Sequence, residues 1–347
     1  MAEPLLEVKT LSVHFPTDDG IVKAVDGVSF SLMPGETLGV VGESGSGKSV
    51  SMLSVLGLIP MPPGRIVSGE ALFEGKDLMT MPKRQLRDIR GGRMAMIFQD
   101  PMTSLNPVFT IGDQISEALM THNSGMKQAA ADKRTVELLE IVGVPFAERR
   151  VQQFPHEFSG GMRQRAMIAM AIANDPAVLV ADEPTTALDV TIQAQIVEVL
   201  KAAQRETNAA ILLITHDLGL IAELADRVVV MYAGRVVELG DVFTIFDSPQ
   251  HPYTVGLMNS LARVEEEKDR LEPIPGSPPS LIAPPPGCAF HPRCTWSQGR
   301  AVCRSDVPEL RSAVGSEHQA ACHFSDELAA SRVVVGAAAD AVAEDVP

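Results

Sequence analysis

The chain has 347 residues, 45% of them hydrophobic and 4% aromatic, and its 29 Lys plus Arg face 44 Asp plus Glu for a net charge of −15. That length suits about two domains, and the acidic balance argues against a protein that grips duplex nucleic acid through a basic face, because displacing phosphate counterions takes clustered Lys and Arg. No apolar run reaches the roughly eighteen residues a bilayer span requires, and Met1-Ala2-Glu3-Pro4 lacks the basic and apolar regions of a secretory signal, so a cytosolic chain is expected, with docking onto a membrane protein left open.

Short strands are predicted at Leu5–Lys9, Leu11–Phe15, Ala24–Leu32 and Thr37–Val41, with turns at Asp18-Asp19-Gly20 and Pro34-Gly35. Gly42-Glu43-Ser44-Gly45-Ser46-Gly47-Lys48-Ser49 then fits G-x-x-x-x-G-K-[ST] at every fixed position. The stretch follows the apolar run Leu38–Val41 and precedes a helix starting at Val50. Its backbone N–H groups can therefore point at a phosphate, aided by the partial positive charge of the helix N-terminus. Gly42, Ser44, Gly45, Ser46, Gly47 and Val50 belong to this nucleotide-binding stretch, Lys48 is expected at the terminal phosphates, and the Ser49 hydroxyl on Mg²⁺.

The helix is predicted to run to about Leu58, followed by a Pro/Gly break, a strand over Gly69–Phe73, a charged helical piece over Pro82–Ile89 and an apolar strand, Met94–Phe98, ending at Gln99. Between Pro107 and Arg150 the apolar residues change to helical spacing (Ile111, Ile115, Leu119, then Val136, Leu139, Val142), which predicts a helical insertion. After residue 160 helices (160–173, 190–206, 218–225) alternate with strands (177–181, 210–214, 227–232). Such alternation predicts a largely parallel sheet with helices packed on it. Near 240 the character shifts. Glu265–Glu272 is dense in charge, seven prolines fall between 273 and 287, and 325–347 is rich in Ala, Val, Asp and Glu and expected to be disordered.

Two further stretches carry chemistry. Val178-Leu179-Val180-Ala181-Asp182-Glu183 is a buried-strand pattern ending in two acids, 134 residues after Lys48. In a nucleotide hydrolase the first acid holds Mg²⁺ and the second polarises the attacking water. Ser159-Gly160-Gly161-Met162 opens a Met- and Ala-rich helix with a Ser cap and two glycines, an arrangement that bares N–H groups to an anion.

The order of phosphate loop, Gln99, Ser159-Gly160-Gly161, Asp182-Glu183, Ala187-Leu188-Asp189 and Ile214-Thr215-His216-Asp217 resembles that of ABC-type ATPase domains, over residues 5 to about 240. Gln99-Asp100-Pro101-Met102-Thr103-Ser104-Leu105-Asn106-Pro107, Phe158-Ser159-Gly160-Gly161-Met162-Arg163-Gln164-Arg165, Asp182-Glu183-Pro184-Thr185-Thr186 and His251-Pro252-Tyr253-Thr254 narrow the likeness to the D-type ATP-binding subunit of dipeptide and oligopeptide permeases, relatives of nickel importers. The resemblance implies an α/β P-loop NTPase fold with an inserted helical subdomain and a small C-terminal Cys-containing extension. The implied boundaries are 1–240 for the ATPase domain (helical subdomain about 107–173), 241–324 for the extension and 325–347 for a tail.

For individual residues the resemblance implies that Gln99 senses Mg²⁺ and the attacking water, Asp182 holds Mg²⁺ with Ser49, Glu183 is the general base and His216 meets the γ-phosphate. Ser159, Gly160 and Gly161 would serve ATP on an opposing subunit, with Asp189 at the dimer seam, and Phe15 is the choice for stacking on adenine. Phe158 and Met162 depart from the general Leu-Ser-Gly-Gly-Gln signature, leaving the phosphate-contacting Ser and glycines in place. The implied partners are a second ABC ATPase subunit (a related but distinct chain), two transmembrane permease subunits and, indirectly, an extracytoplasmic peptide-binding protein. These place the chain peripherally on the cytoplasmic face of the membrane. The cargo, whether dipeptide, oligopeptide or nickel complex, is chosen by the other subunits. A soluble ABC ATPase acting on DNA or ribosomes is the rival reading, disfavoured by the acidic charge.

All four cysteines, Cys288, Cys294, Cys303 and Cys322, fall in the last quarter, with five, eight and eighteen residues between them. A reducing cytosol disfavours disulfides, and thiolates in a Pro-rich segment suggest a metal staple, the spacing leaving Zn²⁺ and an iron–sulfur cluster both open. The resemblance implies a [4Fe–4S] cluster.

Overall fold

The computed structural model describes residues 3–186, 188–260, 273–312 and 317–329. The first two strands, β1 (Leu6–Thr17) and β2 (Gly20–Leu32), form an antiparallel hairpin. The two short strands expected before Phe15 are one. Thr10 breaks their alternation with a left-handed φ of 46° and shifts the register, while its N–H donates to Ser29 Oγ at 2.8 Å, so the interruption is a bulge and not a turn. After β3 (Thr37–Val41) and α1 (Lys48–Val55), β4 (Arg65–Phe73) and β5 (Lys76–Asp77) complete a four-stranded antiparallel sheet in the order β2-β1-β4-β5.

Past α2 (Lys83–Ile89) and β6 (Met94–Ile97) the chain turns helical, with α3 (Pro101–Ser104), α4 (Ile111–His122), α5 (Gln128–Ile141), α6 (Ala147–Arg150) and α7 (Gly160–Ile172). Thr110 and Asp113 close a capping box at the start of α4, and Ile111, Ile115 and Leu119 are buried as their spacing predicts. Alternation then resumes with β7 (Val178–Asp182), α8 (Val190–Thr207), β8 (Ala210–Ile214), α9 (Leu218–Leu224), β9 (Arg227–Tyr232) and β10 (Arg235–Asp241). The large sheet has β9-β3-β8-β7-β6 as neighbours, every pair parallel, and β10 antiparallel at its flank.

Those strands read as continuous apolar runs because both faces are covered. On β7, Leu179 and Ala181 join the core beneath α4, α5, α7 and α8, whereas Val178 and Val180 join the one shared with α1 and the small sheet. The period of two divides β8 in the same way, with Ile211 and Leu213 against Leu212 and Ile214.

Beyond β10 lie α10 (Val242–Asp247), α11 (Pro252–Asn259), α12 (Val302–Ser305), β11 (Arg311–Ser312) and β12 (Gln319–Ala320). β12 pairs with β10, Glu238 opposite Ala320, so this region is stitched to the edge of the large sheet. The Pro-rich stretch forms no strand or helix and lies against β2, where Lys23 N–H donates to Leu281 O at 3.1 Å. Residues 325–329, assigned to the tail from composition, are helical, with Leu328 buried and Glu327 paired to Arg300 at 3.0 Å. Ala187, the charge-dense Glu265–Glu272 and the tail from 330 on lie outside the described residues. No helix among the described residues is long and apolar enough to cross a membrane.

Candidate phosphate-binding active site

The phosphate loop leaves the C-terminal end of β3, where parallel sheets carry their ligands. Two of its glycines are fixed by shape. Gly42 has φ +152° and a Cβ there would stand 2.2 Å from Met231 O, while Gly47 has φ +100° and a Cβ would stand 2.3 Å from Ala24 O. Gly47 also caps α1 in the left-handed region and, as a glycine, offers no side-chain acceptor to the first N–H groups of the helix. Ser46 Oγ is buried with no hydrogen-bond partner among the described residues, as suits a donor free to meet a phosphate oxygen. Lys48 is 5% exposed and its Nζ donates to Gly42 O at 2.7 Å and Glu43 O at 3.1 Å. Burial lowers its pKa, against the pull of Glu183, Asp182 and Glu43.

The two acids sit where β7 ends. Asp182 is buried and its Oδ1 accepts from Ser49 Oγ at 2.8 Å. Burial raises its pKa and the charge of Glu183 adds to this, while Ser49 and Lys48 oppose it. A desolvated carboxylate beside a hydroxyl is a hard-oxygen pair that favours a small divalent cation, so this pair fits Mg²⁺. Glu183 has a left-handed φ of 46°, a conformation that costs energy in a non-glycine residue and clusters at functional sites. It is held there as its N–H donates to Ile214 O at 2.8 Å. Gln99 Nε2 donates to its carboxylate at 2.9 Å and Thr186 Oγ1 at 2.8 Å, and His216 Nδ1 lies 3.4 Å away. Residues from the ends of β6, β7 and β8 thus converge on one carboxylate. A cavity of about 190 Å³ is lined by Ser44 through Val50, Gln99 and Glu183.

Other sequence-predicted residues stand apart from that cavity. Ser159 caps α7, its Oγ accepting from Met162 N at 3.4 Å, and a Cβ on Gly161 would approach Ile192 to 2.8 Å. Asp189 caps α8, accepting from Ile192 N at 2.9 Å. None of Ser159, Gly160, Gly161 and Asp189 lines the cavity, nor does Phe15, whose half-buried ring packs near Gly64 against the core of the small sheet.

The motif Asp182-Glu183-Pro184-Thr185-Thr186 assigns Thr186 no role, and no sequence pattern predicts the contacts of Glu43. The Glu43 carboxylate accepts from Arg293 Nη1 at 2.6 Å and Nη2 at 2.9 Å, and its N–H donates to Tyr253 Oη at 2.8 Å. Some 250 residues separate the ion pair in sequence. The only sequence signals were Tyr253 in His-Pro-Tyr-Thr and the position of Arg293 beside Cys294.

All four cysteines line a second, apolar-walled pocket with Phe290, Trp296 and Phe324. Burial pushes the Cys288 thiol up to about 11 and Cys322 to about 12, with Cys294 and Cys303 adding to the shift in each. Four soft donors sharing one pocket suit a thiolate-bound metal group in chemistry. As the side chains stand, no group of three or more His, Cys, Asp or Glu among the described residues could hold a metal ion.

Comparison with known proteins agrees with this geometry. A family model for ABC transporters matches residues 25–186, and one for the oligopeptide/dipeptide transporter C-terminal region matches 237–303. The oligopeptide transport ATP-binding protein OppD of Bacillus subtilis is 56% identical over 84% of this chain and 82% of its own length. The dipeptide transport ATP-binding protein DppD of the same organism is 49% identical over 97% of this chain and 100% of its own. Among solved structures, a dimeric ATP-binding cassette in a post-hydrolysis state with ADP and Pi has TM-score 0.61 and 26% identity, covering 68% of this chain and 98% of that one. With its phosphate loop, paired acids and cassette fold in one arrangement, the chain belongs to the ABC transporter ATPase family, in the branch that carries the oligopeptide/dipeptide transporter C-terminal region.

Proposed function

We propose that this chain is the ATP-hydrolysing subunit of an importer of dipeptides or oligopeptides, acting on the cytoplasmic face of the membrane beside a second ATPase subunit and two separate permeases. A peptide-binding protein on the far side would deliver cargo. The observation that carries the reading is Glu183, held by Gln99, Thr186 and His216 at the phosphate cavity. A carboxylate so held can accept a proton from an attacking water. Gly42 and Ser44 to Ser49 would cradle the phosphates, and His216 would meet the transferred phosphoryl group. Phe15 is the aromatic assigned to adenine. Ser49, Asp182 and Gln99 would hold Mg²⁺, which neutralises phosphate charge when bound.

Charge on a transferred phosphoryl group must be met from several sides. Lys48 and the loop cover one side of the cavity, and Ser159 to Gly161 are absent from its lining. That separation supports a second subunit supplying Ser-Gly-Gly from across a dimer seam at Asp189, the partner being a homologous chain. α3 to α7 are taken as the inserted helical subdomain and the region after residue 240 as a distinct C-terminal domain. For the latter the shared pocket supports a [4Fe–4S] group on Cys288, Cys294, Cys303 and Cys322, with Zn²⁺ as the alternative. Metal analysis and the visible spectrum of anaerobically purified protein distinguish the two.

The complex of this chain with its partner ATPase and permeases should release phosphate in a magnesium-dependent way that added peptide and binding protein stimulate. Glu183→Gln should retain MgATP and accumulate as a stable ATP-bound dimer. Undiminished turnover in that variant removes Glu183 from its role, and a wild-type complex without turnover overturns the function.

A further inference from the structure

Glu43 puts a carboxylate at the start of a loop built to receive anions. Left unpaired, it would repel the phosphates that Lys48 and the backbone N–H groups attract. Its surroundings deal with that charge. Arg293 is 6% exposed as a side chain and grips both carboxylate oxygens, while its Nε donates to Pro275 O at 2.8 Å. The guanidinium lies 5.8 Å from the ring centre of Tyr232 and 5.9 Å from that of Phe290. Nη1 is also 3.3 Å from Tyr232 Oη. A planar cation fixed by a carbonyl, a hydroxyl and two rings cannot readily follow the carboxylate elsewhere, so the carboxylate is held toward it. The Glu43 backbone is fixed at the same point, its N–H on Tyr253 Oη and its carbonyl on Lys48 Nζ at 3.1 Å.

We propose that Arg293 is a positioning residue for ATP binding, which neutralises Glu43 and fixes the start of the phosphate loop, so that the C-terminal region forms part of the scaffold of the nucleotide site. The proposal rests on the ATPase reading above. It concerns the affinity for nucleotide and not the chemical step, because Arg293 is absent from the lining of the phosphate cavity.

The test uses the complex with partner ATPase and permeases, comparing wild type with Arg293→Gln, Arg293→Lys and the double variant Glu43→Gln/Arg293→Gln. Truncating one member of a hydrogen-bonded, partly buried charge pair leaves the other charge uncompensated. Arg293→Gln should therefore raise KM for MgATP by about tenfold, with kcat within about twofold. Arg293→Lys keeps the charge but loses the fork and should show a smaller rise. Removing the orphaned carboxylate in the double variant should bring KM back to within about threefold of wild type, a rescue that a merely structural arginine would not give. If Arg293→Gln does not fold, the double variant is measured in its place and must fold and bind MgATP near the wild-type level. An unchanged KM in Arg293→Gln, a loss confined to kcat, or a double variant no better than Arg293→Gln overturns the proposal while wild-type turnover keeps the ATPase reading intact. A wild-type complex without turnover overturns both.

Discussion

The phosphate loop and the cysteine region meet at Glu43, but they are held in place by opposite means. The loop rises from β3, a strand buried at every residue, and its path is set by Gly42 and Gly47, which have no room for a side chain. The cysteine region has few buried aliphatic side chains of its own. It rests on an aromatic group of Tyr232, Tyr253 and Phe290, on Arg293, and on a two-residue strand added to a sheet edge. One region is specified by local sequence on a deep core. The other borrows its stability from the side chains and sheet edge it touches, and through Arg293 it reaches the start of the phosphate loop.

That contrast can be broken or sharpened in order of expected effect. Lys48→Ala should cut turnover by at least about a hundredfold through loss of the charge met by the phosphates, while melting stays near wild type because a desolvated cation is also removed. A large fall in melting temperature would show that the loop, too, depends on borrowed contacts. Glu183→Gln should lower kcat by about a hundredfold or more with little change in nucleotide affinity, measured by phosphate release and by nucleotide titration.

On the other side, Phe290→Ala removes a ring that touches both tyrosines and should cost about 3 kcal/mol. The loss should be felt first as faster proteolysis or hydrogen exchange in the C-terminal region, and equal loosening of β7 and β8 would break the comparison. Acid should find the same weak side. His251 is fully buried and its pKa is lowered from 6.5 to about 3 by desolvation, so the folded state refuses a proton that the unfolded chain takes. Its contribution is whole above pH 6.5 and is lost as pH falls toward 3, at up to about 1.4 kcal/mol per unit. His251→Asn keeps an acceptor at the cap of α11 and should flatten that acid limb in denaturant melts. The smallest effect is chemical. With thiols raised to about 11 and about 12, Cys288 and Cys322 in metal-free protein should alkylate slowly at pH 8, faster as pH climbs. Free-thiol rates would show that the pocket is open.

Much of the ATP site could be read directly from the chain, since its physics is local. A glycine-rich turn between a strand and a helix, or two acids at a strand end, are defined by neighbours in sequence, and parallel alternation then delivers the strand ends to one edge of the sheet. The same locality predicted the buried faces of α4 and the strands of the large sheet. Thr10 shows its limit, because a bulge is settled by the opposite strand. Glu43 shows it more fully. Any residue satisfies the loop pattern at that position, and only the fold brings Arg293, some 250 residues later, against its carboxylate. A half-buried charge beside an anion site needs a partner, but which residue answers is decided by packing across the molecule and is written in no single stretch of it.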